Sequence, residues 1–82
     1  MKKDEIKDEI RTFIGKFVKS SRFDDDTKLF ASGIINSLFA MQLVMFVEKE
    51  FKIKVGNQDL NIDNFNSINA VGDLIERKLN AN

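Results

Sequence analysis

The apolar positions Ile6, Ile10, Phe13, Ile14, Phe17 and Val18 recur at intervals of three and four. That spacing lays them along one face of an amphipathic helix running from Asp4 to about Lys19. Asp4 and Glu5 at its start and Lys16 and Lys19 at its end complement the helix dipole. The pattern outweighs Gly15 in its interior, which costs about 1 kcal/mol relative to Ala. From Ser20 to Asn36 the periodicity vanishes. This stretch holds Asp24-Asp25-Asp26 and the turn Ser32-Gly33, and reads as a long connection pinned down by Phe23, Leu29, Phe30, Ile34 and Ile35. Asn36-Ser37, two good N-capping types, open a second helix that reaches Phe51. Ile53-Lys54-Val55 is too short for a sheet without a partner and ends in a turn at Gly56-Asn57. Ile62 to Phe65 make one turn of a third helix. Ser67 caps a fourth, with Val71, Leu74, Ile75 and the Lys78-Leu79 pair on its apolar side and Arg77 and Lys78 in its last turns. Asn80-Ala81-Asn82 is a short polar end.

Composition sharpens this into a fold class. With no Pro and only four Gly in 82 residues, nothing interrupts the helical stretches. The expectation is an all-α domain spanning residues 1–82: a small four-helix bundle with three long helices, one short third helix and a long loop between the first two. Thirteen basic residues balance thirteen acidic ones, so no overall field draws in nucleic acid or anionic lipid. Cys and His are both absent, which excludes disulfides, zinc fingers, thiolate nucleophiles and the usual proton shuttle. No apolar run approaches the length of about 18 residues needed to span a bilayer, and a cytoplasmic, monomeric protein is expected.

The second helix is the informative one. At about 100° per residue, Ala40, Leu43, Val44, Val47 and Phe51 share one side, while Leu38, Met41 and Met45 lie roughly opposite. A bundle this small does not easily bury both sides. The second stripe is either an exposed docking surface, for which adaptable methionines are well suited, or a central helix covered all round by the loop and third helix. Ser37 stands beside that stripe and also has two readings. It is an ordinary N-cap, or it is a hydroxyl placed to carry a phosphate ester where free backbone N–H groups and the helix dipole favour an anion.

Leu29-Phe30-Ala31-Ser32-Gly33-Ile34-Ile35-Asn36-Ser37-Leu38, followed by Met41-Gln42-Leu43-Val44 and Glu48-Lys49-Glu50-Phe51, resembles the attachment region of acyl carrier proteins and of the related peptidyl and D-alanyl carriers. Asp59-Leu60 and the stretch from Ser67 to Ile75 are similar to the closing part of the same family, so the likeness runs from about residue 5 to about residue 80. The resemblance implies that Ser37 receives a 4′-phosphopantetheine arm, making this a phosphoprotein whose cargo rides as a thioester. It implies docking of partner enzymes through Ile35, Asn36, Leu38, Met41, Gln42 and Met45. It also implies modification by a phosphopantetheinyl transferase that uses coenzyme A and magnesium, followed by loading and downstream biosynthetic enzymes; the chain itself is a carrier and not an enzyme. Three features depart from the family pattern. Asn36 stands where acyl carriers usually have Asp, Phe39 and Gln42 occupy positions that are commonly acidic, and the chain is neutral overall. These lead to an expectation of apolar recognition and of a dedicated pathway, polyketide or nonribosomal peptide synthesis, including extender-unit formation. The alternatives are a D-alanyl-type carrier for cell-wall modification and a helical adaptor that binds a partner through Leu38, Met41 and Met45.

Other constellations carry less. An EF-hand loop of twelve residues read from Asp24 puts Leu29 at its Gly position and Ile35 at its closing Glu; read from Asn57, Ile62 and Ile68 take those places. No metal site follows, and the Asp run reads as a solvated turn. Lys52 and Lys54 are too few for a nucleic-acid footprint, and Glu48 and Glu50 do not share a helix face. Lys2, Lys3 and Lys7 read as a solvated face, and a helical regulator of nucleic-acid processes is disfavoured by the neutral charge.

Overall fold

The computed structural model describes residues 2–17, 24–33 and 35–80. Its elements are α1 (Lys3–Phe17), α2 (Ser37–Phe51), a 3₁₀ turn at Asn57–Asp59, α3 (Ile62–Phe65) and α4 (Ile68–Asn80). Among the described residues the fold is all-α, as the periodicity predicts. The expected positions Val18, Lys19, Phe23, Ile34, Ala81 and Asn82 lie outside the described residues.

Ring and side-chain pairings set the helix directions. Phe13 of α1 stacks on Phe46 of α2 with centroids 4.2 Å apart, and Phe17 meets Phe39 at 5.5 Å, so the two helices run antiparallel. On the other side of α1, Lys3 pairs with Asp73, and Lys7 runs past Gly72, where an added Cβ would sit 3.4 Å from the Lys7 Cγ. That is an ordinary van der Waals contact, and α1 lies against α4, again antiparallel. Helices α2 and α4 therefore run in the same sense, with α1 opposed to both. Ile6, Ile10 and Ile14 of α1 fill the centre together with Leu43, Val44, Val47 and Phe51 of α2, Phe65 of α3, and Ile68, Val71, Leu74 and Ile75 of α4. Burying each such side chain is worth about 1.5–3 kcal/mol, and this packing, more than helix propensity, stabilises helices so short.

Helix ends are satisfied by side chains. Ser67 Oγ accepts the N–H of Ala70 at 3.0 Å at the start of α4, as its position suggests. At the end of α2, Lys52 takes the left-handed conformation with φ 54°, a position more often filled by Gly. Beyond it Glu48 accepts the Val55 N–H at 2.8 Å, which holds residues 53–55 back against α2 without forming a strand. The expected turn at Gly56-Asn57 is instead a short 3₁₀ segment, steadied by the Asp59 carboxylate, which accepts the Gly56 N–H and pairs with Lys78 at 2.6 Å.

Three expectations are corrected. Phe17 is 58% exposed: at the end of α1 its ring lies tilted against Phe13 and Phe39 and is otherwise left largely to solvent. The Asp run is more than a solvated turn. Asp24 closes a local turn by accepting from the Asp26 N–H at 2.9 Å and the Thr27 hydroxyl at 3.0 Å, whereas Asp25 pairs with Arg11 and Asp26 accepts from Asn69. Lys3 and Lys7 are likewise paired, with Asp73 and with Asp25.

Candidate functional site

The connection ahead of α2 is built as a clasp. Ser32 N–H reaches the Lys28 carbonyl at 2.9 Å and Gly33, at φ +80°, donates to Phe30 at 3.1 Å, a turn that needs a residue at ease with positive φ. The Ile35 N–H then closes back on Leu29 at 3.1 Å. Leu29 is fully buried and Ile35 is 4% exposed. Both pin the loop as expected, but Ile35 is thereby a core residue and does not join the docking surface to which the resemblance assigns it.

From this clasp the chain enters α2. The Asn36 side chain accepts the N–H of Phe39 at 3.0 Å, and its carbonyl accepts from Ala40 at 2.8 Å; Asn36 is thus the N-cap. That excludes the N-cap reading of the serine. Ser37 is the first residue of the helix, exposed, and its hydroxyl makes no hydrogen bond among the described residues. A free hydroxyl is left at a helix N-terminus, beside the N–H groups of Ser37 and Leu38, where a phosphodiester is electrostatically welcome.

On the outer side of α2, Leu38, Met41 and Met45 are 73%, 52% and 60% exposed, and Asn36 and Gln42 are exposed beside them. The alternative of a helix covered all round is thereby excluded. From Ser37 to Val47 no residue is charged. Phe39, one of the positions where an acidic residue is common in the resembled family, stacks flat on Phe13 of α1 at 5.8 Å. Its departure from that pattern serves the α1–α2 contact.

Next to Ser37 an open groove of about 310 Å³ runs between α2 and α3. Val44 and Phe65 are its buried floor, Phe30, Ala40 and Met41 form one wall, and Leu60, Asn61 and Ile62 the other. Leu60 and Ile62 were not among the site residues expected from the sequence. Their signal was two exposed apolar residues in a stretch otherwise made of Asn, Gln and Asp. The residues present fit a phosphopantetheine group: an unencumbered hydroxyl, an anion-favouring helix end and a mostly apolar groove alongside. Among the described residues no cluster of three or more acidic, His or Cys side chains is placed to hold a metal ion, and no helix is long and apolar enough to cross a membrane.

A family profile described as a phosphopantetheine attachment site matches residues 4–75. The chain belongs to the acyl carrier protein family. It is similar to a D-alanyl carrier protein from Leuconostoc citreum (strain KM20), with 32% identity over 69 residues, covering 84% of this chain and 85% of that one. This carrier protein therefore bears a covalent 4′-phosphopantetheine and meets the transferase that attaches it and the biosynthetic enzymes it serves.

Proposed function

We propose that Ser37 is the attachment residue and that the carrier holds an aminoacyl group of the D-alanyl type. The observation that supports the first part is the separation of duties between neighbours: Asn36 caps the helix, leaving the exposed Ser37 hydroxyl unengaged. When bound, the arm supplies a thiol that holds cargo as a thioester, the sulfur chemistry this Cys-free chain lacks. The chain's own residues present the hydroxyl, stabilise negative charge beside it through the first N–H groups of α2, and offer Leu38, Met41, Gln42 and Met45 to partner enzymes. Because that face is uncharged from Ser37 to Val47, docking rests on apolar contact and responds weakly to salt. The protein acts as a monomer in the cytoplasm, as substrate and carrier for enzymes that do the chemistry.

The cargo assignment is supported by the D-alanyl carrier relative, which moves the weight away from the polyketide or nonribosomal peptide setting expected from the sequence. That setting is the second reading, favoured by the uncharged α2 face. The test is to incubate the protein with coenzyme A and a broad-specificity transferase and follow intact mass. One phosphopantetheine is added to the wild type and none to Ser37→Ala. Protein isolated from its native host is then treated with mild base and the released group identified. D-Alanine supports the proposal, a malonyl-type group or another amino acid the second reading. A wild type that takes no arm, under conditions that load a control carrier, leaves only the adaptor.

A further inference from the structure

The groove beside Ser37 has walls from distant parts of the chain, Phe30 from the connection before α2 and Leu60 to Phe65 from around α3. Asn66 fastens them together. It directly follows Phe65 as the C-cap of α3, with φ −85° and ψ −3°. Its carbonyl accepts the Leu29 N–H at 2.7 Å, and its side-chain Oδ1 accepts the N–H of Phe30 at 3.1 Å. Leu29 in turn accepts from Ile35 at 3.1 Å, and Ile35 leads straight into the Asn36 cap and Ser37. A short hydrogen-bonded path therefore connects the end of α3 to the start of α2.

An Asn between two helices is ordinarily explained by capping. Here other residues do that work: Asn61 caps α3, accepting from the Asn64 N–H at 3.0 Å, and Ser67 caps α4. The Asn66 side chain is instead committed to a partner 36 residues away in the chain. Backbone carbonyl and side chain together, Asn66 accepts two consecutive N–H groups of an irregular segment that has no helical partner to offer them, and buried or half-buried N–H groups need such acceptors.

We propose that Asn66 is a positioning residue for the modification of Ser37: by gripping Leu29 and Phe30 it sets the serine loop against α3, and with it the width of the groove beside the serine. The inference rests on the assignment of Ser37 as the attachment residue. Asn66 touches neither Ser37 nor the arm and acts through the loop.

The experiment compares wild type, Asn66→Ala and Asn66→Asp as substrates of a broad-specificity transferase, with amide hydrogen exchange on each. Asn66→Ala keeps the carbonyl and removes Oδ1; Asn66→Asp retains an acceptor. The loss of one half-buried hydrogen bond predicts a KM for the Asn66→Ala carrier raised about five- to tenfold with kcat within about twofold of wild type. The Phe30 amide loses protection in that variant while the amides of α1 and α4 keep theirs, and Asn66→Asp restores both readouts. A KM for Asn66→Ala equal to wild type overturns the inference, as does a Phe30 amide that stays protected or protection that falls evenly along the chain. Failure of Asn66→Asp to rescue does the same. If the wild type takes no arm, the attachment assignment itself falls, and the inference with it.

Discussion

Replacing Asn36 and Ser37 one at a time by Ala separates structural from chemical duty at adjacent positions. Asn36 Oδ1 satisfies the Phe39 N–H at 3.0 Å, and an N-cap of this kind is worth about 1 kcal/mol. For a domain of this size, a loss of that order lowers Tm by about 4–8 °C. Ser37 is exposed, and its hydroxyl satisfies nothing among the described residues. Replacing it by Ala, a better helix former by up to about 0.5 kcal/mol, leaves Tm unchanged or slightly raised. Thermal unfolding followed by circular dichroism reads the first duty, and intact mass after incubation with coenzyme A and a transferase reads the second. Asn36→Ala is therefore less stable yet still accepts the arm, whereas Ser37→Ala is fully stable and accepts none. A drop in Tm for Ser37→Ala equal to that of Asn36→Ala would show the hydroxyl to be a structural cap and refute the reasoning.

Three further outcomes are expected. Met45→Glu, at an exposed position on the outer side of α2, retains helicity by circular dichroism but slows transfer to a partner enzyme; loss of helicity would instead place Met45 in the core. Leu29→Ala, at a fully buried loop position, costs about 2–5 kcal/mol in urea denaturation, and a cost below about 1 kcal/mol would mean that the loop bears no part of the core. The Glu9 carboxyl is held above its ordinary range by its hydrogen bond to Glu50 across α1 and α2, with burial and the charges of Glu50 and Glu5 adding to the effect. A raised folded value means that stability present below the unfolded value is lost as pH rises through the folded one. Glu9→Gln should therefore gain Tm over wild type toward neutral pH and match it in acid; a difference independent of pH would sink this account.

The helices were legible because their signals are local. A cap pair followed by unbroken periodicity put α2 at Ser37–Phe51, and Ser67 marked the start of α4 by its hydroxyl alone. The exposed Leu38, Met41 and Met45 followed from counting how many faces a small bundle is able to cover. What stayed hidden depends on which segments meet. Ile35 carried two expectations, pinning the loop and, through the resemblance, docking; an irregular loop has no period from which to choose between them, and its hydrogen bond to Leu29 and its burial decide for the first. Asp25 and Asp26 looked solvated because their partners, Arg11 and Asn69, lie in α1 and α4. The far wall of the groove, Leu60 and Ile62, likewise has meaning only once α3 is laid beside α2.

The bare outer side of α2 carries an evolutionary corollary. Leu38, Met41 and Met45 contribute almost nothing to holding the interior together, so selection is free to rewrite them. A lineage descended from such a molecule is able to change its clientele by drift at three side chains while its skeleton, and the hydroxyl it presents, remain the same.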